Sequence, residues 1–68
     1  MTNKKELYKL YLRNLEDSII KEIAKIKKTT IKKAMDIYYK SRLCDLIENN
    51  VEGISFLDYK YLAREIVG

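Results

Sequence analysis

Apolar residues recur at three- and four-residue steps through the first third of this chain: Leu7/Tyr8, Tyr11/Leu12, Leu15, Ile19, Ile23 and Ile26. That spacing draws one apolar stripe along an α-helix of about residues 4–27, and Asn3 followed by Glu6 has the form of a capping box at its start. At 1.5 Å per residue the helix is about 36 Å long. This is longer than a 68-residue globule needs, so part of the stripe is expected to face another chain.

Thr29-Thr30 then interrupts the pattern, because a β-branched pair lowers helix propensity and a hydroxyl there can accept from the free amides of a following helix. The next apolar face, Ile31, Met35, Tyr39, Leu43 and Leu46/Ile47 with Ala34 and Tyr38 on its flank, predicts a helix over 31–48. Asn49-Asn50 and Gly53 tolerate turn geometry and close it. Ser55 with Asp58 three residues on resembles a second capping box, and Ile54 before it is placed to staple onto Tyr59. A last helix over 56–67 follows, with Tyr59, Leu62, Ala63 and Ile66 inward.

No proline occurs, and the first glycine is Gly53, so nothing in residues 4–52 forces the backbone out of helix. The expected architecture is one all-α domain over residues 1–68. It is a small three-helix domain whose long first helix precedes an antiparallel helical hairpin of the other two.

The charge changes the picture. Residues 1–40 hold eleven of the fourteen Lys/Arg against five Asp/Glu, and residues 41–68 carry three against five. The net charge of +4 admits nucleic acid, an anionic membrane surface or an acidic protein patch as partner. Lys21, Lys25, Lys27, Lys28, Lys32 and Lys33 form the densest cluster. Of these Lys21, Lys25, Lys28 and Lys32 are candidate phosphate contacts, each adding a counterion-release contribution to binding. All six are lysines, without the arginine that reads guanine bidentately, and no aromatic residue lies among them to stack on bases.

The chemistry-bearing residues are few. Histidine is absent, which removes imidazole bases, His-metal sites and Cys-His or Ser-His pairs. The one cysteine, Cys44, sits beside Leu43 and Leu46 and reads as a small buried hydrophobe, not a reactive thiol. The carboxylates make no dense oxygen cage, and two glycines leave no phosphate-cradling loop. We therefore expect no enzyme, metal or cofactor. A cytoplasmic location is expected, since a signal pattern and a membrane-length apolar run are both lacking.

Six tyrosines and one phenylalanine come largely in near-pairs: Tyr8/Tyr11, Tyr38/Tyr39 and Tyr59/Tyr61. Residues one or two apart cannot share one helix face, so with Tyr39 and Tyr59 in the buried stripes, Tyr38 or Tyr61 is left at the rim, as interface tyrosines are. The candidate partner-binding set is Tyr8, Tyr11, Leu12, Leu15, Ile19, Tyr38 and Tyr61. The reading that follows is a non-enzymatic module that engages and neutralises or regulates another protein in the helix-in-groove or helix-pairing mode, as an antitoxin or a phage-type inhibitor would. The alternative is a small basic nucleic-acid-binding regulator, dimeric through the first helix. On size alone a homodimer through that helix is expected.

The segment Ile31-Lys-Lys-Ala-Met-Asp-Ile-Tyr-Tyr-Lys-Ser-Arg-Leu, followed by Leu46-Ile-Glu, Gly53-Ile and Leu57-Asp-Tyr-Lys-Tyr-Leu, carries a resemblance. It is similar to a group of very small bacterial proteins sharing an Ala-x-x-x-(Tyr/Phe)-Tyr-x-Ser helix and a C-terminal acidic-Tyr-x-x-Leu helix. The resemblance spans residues 31–67 and implies an antitoxin-like or accessory role, with a toxin or host enzyme as partner. It marks Tyr38, Tyr39, Ser41 and Tyr61 as contact or framework positions.

Overall fold

The computed structural model describes residues 4–68, which are helical in four α-helices and one 3₁₀ segment, with no strand among them. The Asn3 cap lies outside the described residues. Helix α1 spans Lys4–Lys27, α2 Ile31–Lys40, α3 Arg42–Glu48 and α4 Tyr59–Val67, with the 3₁₀ segment Val51–Phe56 between the last two. α1 is the spine, packing against α4 on one side and α2 on the other.

α1 ends one residue before the threonines. Lys28 adopts a left-handed conformation (φ 53°), its amide reaches Lys25 O at 3.4 Å, and Thr29 N donates to Ala24 O at 2.9 Å. This pair of bonds is a Schellman motif, which satisfies the last carbonyls of the helix. Thr30 then caps α2, its hydroxyl accepting from Lys33 N at 3.2 Å.

The expected helix over 31–48 is divided at Ser41, whose backbone is extended (φ −80°, ψ 151°). Ser41 serves both neighbours at once. Its amide donates to Tyr38 O, its Oγ donates to the same carbonyl at 2.6 Å, and that Oγ accepts from Cys44 N to cap α3. A side chain that satisfies both helix ends removes the reason to continue one helix through them.

The break resets the helical phase, and the buried face of α2 differs from the expected one. Ile31, Met35 and Tyr39 are about half exposed, whereas Ala34 and Tyr38 are fully buried. Small Ala34 lets α2 approach α1, and inward-facing Tyr38 finds a carboxylate for its hydroxyl, so the flank forms the contact. Beyond the break, Cys44 and Ile47 continue the core.

The last helix begins at Tyr59, not at residue 56. Its cap is Asp58, which accepts from Lys60 N at 3.2 Å. Ser55 lies three residues before that cap, so the expected capping box from Ser55 to Asp58 does not form, and Ser55 is instead fully buried. Ser55 Oγ donates to Asn50 Oδ1 at 2.7 Å, closing a turn in which Asn50, Glu52 and Gly53 all have positive φ. Gly53 (φ 73°) is where the turn requires glycine, because an added Cβ would meet only Phe56 at an ordinary 3.7 Å while the backbone conformation itself resists one.

The core contains Leu15, Ile19, Ile20, Ile23 and Ala24 of α1, Ala34 and Tyr38, Cys44 and Ile47, and Leu62 and Ala63 of α4. Fully burying a residue such as Ile19, Ile23, Ile47 or Leu62 stabilises by about 1.5–3 kcal/mol. The stripe on α1 thus divides. Residues 15–24 supply the core, and Leu7 and Tyr11 of the first turns remain exposed.

Candidate functional site: the aromatic end of the first helix

The first turns of α1 are held to the 3₁₀ segment by two tyrosines. Tyr11 donates to the carbonyl of Ser55, and Tyr8 shares its proton between Ser55 Oγ at 3.3 Å and Ile47 O at 3.4 Å. Each hydroxyl is thereby used within the chain, while the rings stay near the surface. The Tyr11 ring lies 6.3 Å from Tyr8 and 5.7 Å from Phe56, so three aromatic rings form a continuous cluster.

This cluster is open to solvent. Phe56 is 67% exposed, and Leu7, Leu10, Tyr11 and Leu57 are each 40% exposed or more. Leu7 precedes Tyr11 by one turn, and Leu57 follows Phe56 directly. On the flank of α1, a shallow groove is lined by Leu10 with Glu6, Lys9 and Arg13. An exposed apolar surface rimmed by charge is the usual form of a protein-binding patch.

Not all the candidate contact residues belong to it. Tyr8 and Tyr11 do. Leu15, Ile19 and Tyr38 are buried core residues, so they are corrected from contact surface to framework: a partner reaching them would have to open the domain. Leu12 is partly buried against the core. Tyr61 is half exposed on α4 and makes no ring contact with the Tyr8–Tyr11–Phe56 cluster among the described residues. Phe56 and Leu57 were not among the residues expected here. Their signal is two adjacent bulky apolar residues immediately before the cap Asp58, a stretch that the expected helix over 56–67 takes into the helix.

No known protein family, curated protein or solved structure matches this chain. Function therefore rests on the residues themselves.

A second polar cluster lies where α1, α2 and α3 meet. Tyr38 donates to Glu16 Oε2 at 2.6 Å, and Cys44 Sγ donates to Glu48 Oε1 at 2.9 Å. Burial raises the pKa of Glu16, with the bond from Tyr38 partly opposing the shift. Burial, reinforced by the bond to Glu16, raises that of Tyr38. Burial and then the bond to Glu48 push the Cys44 thiol up to about 12. At neutral pH this thiol is protonated and buried, which is the opposite of an activated nucleophile.

Donor atoms of Glu16, Cys44 and Glu48 do lie within 4.8 Å of one another, the set that could approach a metal ion. Binding one would require deprotonating the Cys44 thiol and breaking its bond to Glu48, and the Tyr38 hydroxyl already occupies Glu16. The arrangement is a polar clamp in which the Tyr38–Glu16 bond joins α2 to α1, while the Cys44–Glu48 bond stays within α3.

The lysine cluster surrounds the α1–α2 turn, at the far end of α1 from the aromatic rings. Lys21 is paired with Asp17 at 2.9 Å, an exposed i,i+4 contact. Lys25, Lys28 and Lys32 are exposed and have no ion-pair partner among the described residues. Lys25 and Lys27 occupy the last turn of α1, where cations also favour the helix dipole.

Proposed function

We propose that this chain is a non-enzymatic protein-binding module that neutralises or regulates a partner protein, in the manner of an antitoxin or a small inhibitor, and docks through the aromatic end of α1. One observation carries the reading: Tyr11 and Phe56 remain exposed in a ring cluster that the chain's own hydrogen bonds hold in place, with Leu7 one turn before Tyr11, Leu57 next to Phe56 and Leu10 on the flank of α1 exposed as well. A patch organised before binding loses little side-chain freedom on docking. The rim residues Lys9 and Arg13 suit a partner with an acidic margin around an apolar pocket. The missing histidine and the protonated, buried Cys44 support a binding role over a catalytic one.

The test is affinity capture of partners from the source cells on the tagged chain, with and without nuclease. A single stoichiometric protein, retained after nuclease and absent with Phe56→Asp, supports the proposal. Material lost on nuclease treatment counts against it.

A nucleic-acid-binding regulator is the second reading, favoured by Lys25, Lys28 and Lys32 exposed around one turn. It requires the affinity for an oligonucleotide to fall with salt by a logarithmic slope of about 0.7–0.9 per phosphate contacted. A flat response rejects it.

A further inference from the structure

Helix α2 presents Ile31, Met35 and Tyr39 as a ridge at i, i+4 and i+8, 46%, 42% and 53% accessible. Between this ridge and α1 runs a groove lined by Leu12 and Ile20 and flanked by Lys9, Arg13, Glu16 and Asp17. Beside the ridge a second hollow is bordered by Lys32, Lys33 and Asp36. At 1.5 Å per residue the ridge is about 12 Å long, the length of two to three helical turns.

The charges around this apolar strip are unequally satisfied. Each carboxylate is engaged within the chain: Glu16 accepts from Tyr38 at 2.6 Å, Asp17 pairs with Lys21 at 2.9 Å and Asp36 with Lys40 at 3.1 Å. Lys9, Arg13, Lys32 and Lys33 are exposed and have no ion-pair partner among the described residues. Lys32 and Lys33 also occupy the first turn of α2, where the helix dipole favours acids and none is present. Helix α1 has the usual arrangement, with Glu6 in its first turn and Lys25 and Lys27 in its last. The dipole of α2 thus gives no reason for cations at that end, and an anionic partner does.

We propose that the face of α2 takes an acidic amphipathic helix of a partner protein, its apolar side chains on Ile31, Met35 and Tyr39 and its carboxylates on Lys9, Arg13, Lys32 and Lys33. Charge complementarity selects the acidic occupant. A helix fits better than an extended peptide, because both walls are helices whose backbone groups bond internally, and an extended segment would leave its own N–H and C=O groups unpaired on the apolar strip. Glu16 and Asp17 in the same groove disfavour a continuous phosphate backbone, whereas carboxylates spaced along a helix meet the cations one at a time. This surface is additional to the aromatic end and does not depend on it.

The probe is a labelled synthetic peptide of about four turns with leucine at i, i+3, i+4 and i+7, glutamate beside the leucines and alanine elsewhere. Titrated with the full chain and followed by fluorescence anisotropy, it is expected to bind with a dissociation constant on the order of 100 µM, as suits a contact smaller than a standard interface. Lysine in place of its glutamates weakens binding about tenfold or more. Lys9 and Arg13 also border the groove beside Leu10, so the chain is changed elsewhere. Met35→Asp abolishes binding, and Lys32→Glu combined with Lys33→Glu weakens it about tenfold. Glutamate in the first turn of α2 suits the dipole, so the double variant keeps its helicity, which circular dichroism checks.

No binding at about 1 mM chain overturns the proposal. Equal binding of the lysine peptide overturns it too, as does a response indifferent to Met35→Asp. Phosphatidylglycerol vesicles, a single-stranded oligonucleotide and self-association of the chain are measured in parallel. Any of these that is lost on Met35→Asp while the acidic peptide fails to bind places that occupant on the ridge instead. Phe56→Asp leaves peptide binding unchanged, so failure of this surface and failure of the aromatic docking site are separate results.

Discussion

Tyr38 Oη lies 2.6 Å from Glu16 Oε2, joining α2 to α1 at the centre of the fold. The contact makes a fully buried tyrosine tolerable and gives a partly buried carboxylate its donor. Tyr38→Phe keeps the ring and removes the donor, so it is expected to cost about 1–3 kcal/mol in urea unfolding. In a double-mutant cycle, Tyr38→Phe combined with Glu16→Gln costs less than the sum of the single changes.

That relationship also marks how far the sequence could be read. The 3.6-residue period of α1 and the Thr30 cap depend on spacing and local hydrogen bonding, and both were legible. The buried face of α2 was not, because apolarity alone favours Ile31, Met35 and Tyr39, whereas Tyr38 goes inward for a hydroxyl partner 22 residues away. The division at Ser41 was hidden for a related reason. Serine is tolerated inside helices, and only its simultaneous bonds to Tyr38 O and Cys44 N show that it ends one helix and starts another. Of the candidate site, Tyr8 and Tyr11 were legible from their spacing on α1. Phe56 and Leu57 became part of it only because Asp58, and not Ser55, starts the last helix.

Ser41→Ala removes the cap of α3 and a bond at the end of α2. A loss of about 0.5–2 kcal/mol is expected, read from the urea midpoint. Ser41→Asp, which retains an acceptor for Cys44 N, should recover part of that loss.

Lys28 occupies a left-handed position at the Schellman end of α1, where glycine is favoured. Lys28→Gly is expected to raise stability by about 0.5–1 kcal/mol, measured by thermal or urea unfolding. No change or a loss would show that the lysine makes a compensating contact.

The polar clamp gives stability a defined dependence on pH. Glu16 is raised above 4.5 in the folded chain, so its contribution is fully present below that value and is lost as pH rises through the raised one. Cys44 behaves alike at the alkaline end: its contribution is whole below 9.0 and disappears as pH approaches about 12. Relative to Cys44→Ala, the wild type should therefore lose stability above pH 9.0, and its thiol should resist alkylation below that pH while the chain remains folded.

The central claim is that the exposed aromatic end serves binding and not folding. Its most direct test is to measure unfolding and partner capture on the same Leu10→Asp and Phe56→Asp proteins. The expected result is stability within about 0.5 kcal/mol of wild type together with loss of the captured protein. Capture that survives both changes, or stability that falls by about 2 kcal/mol or more, would contradict it.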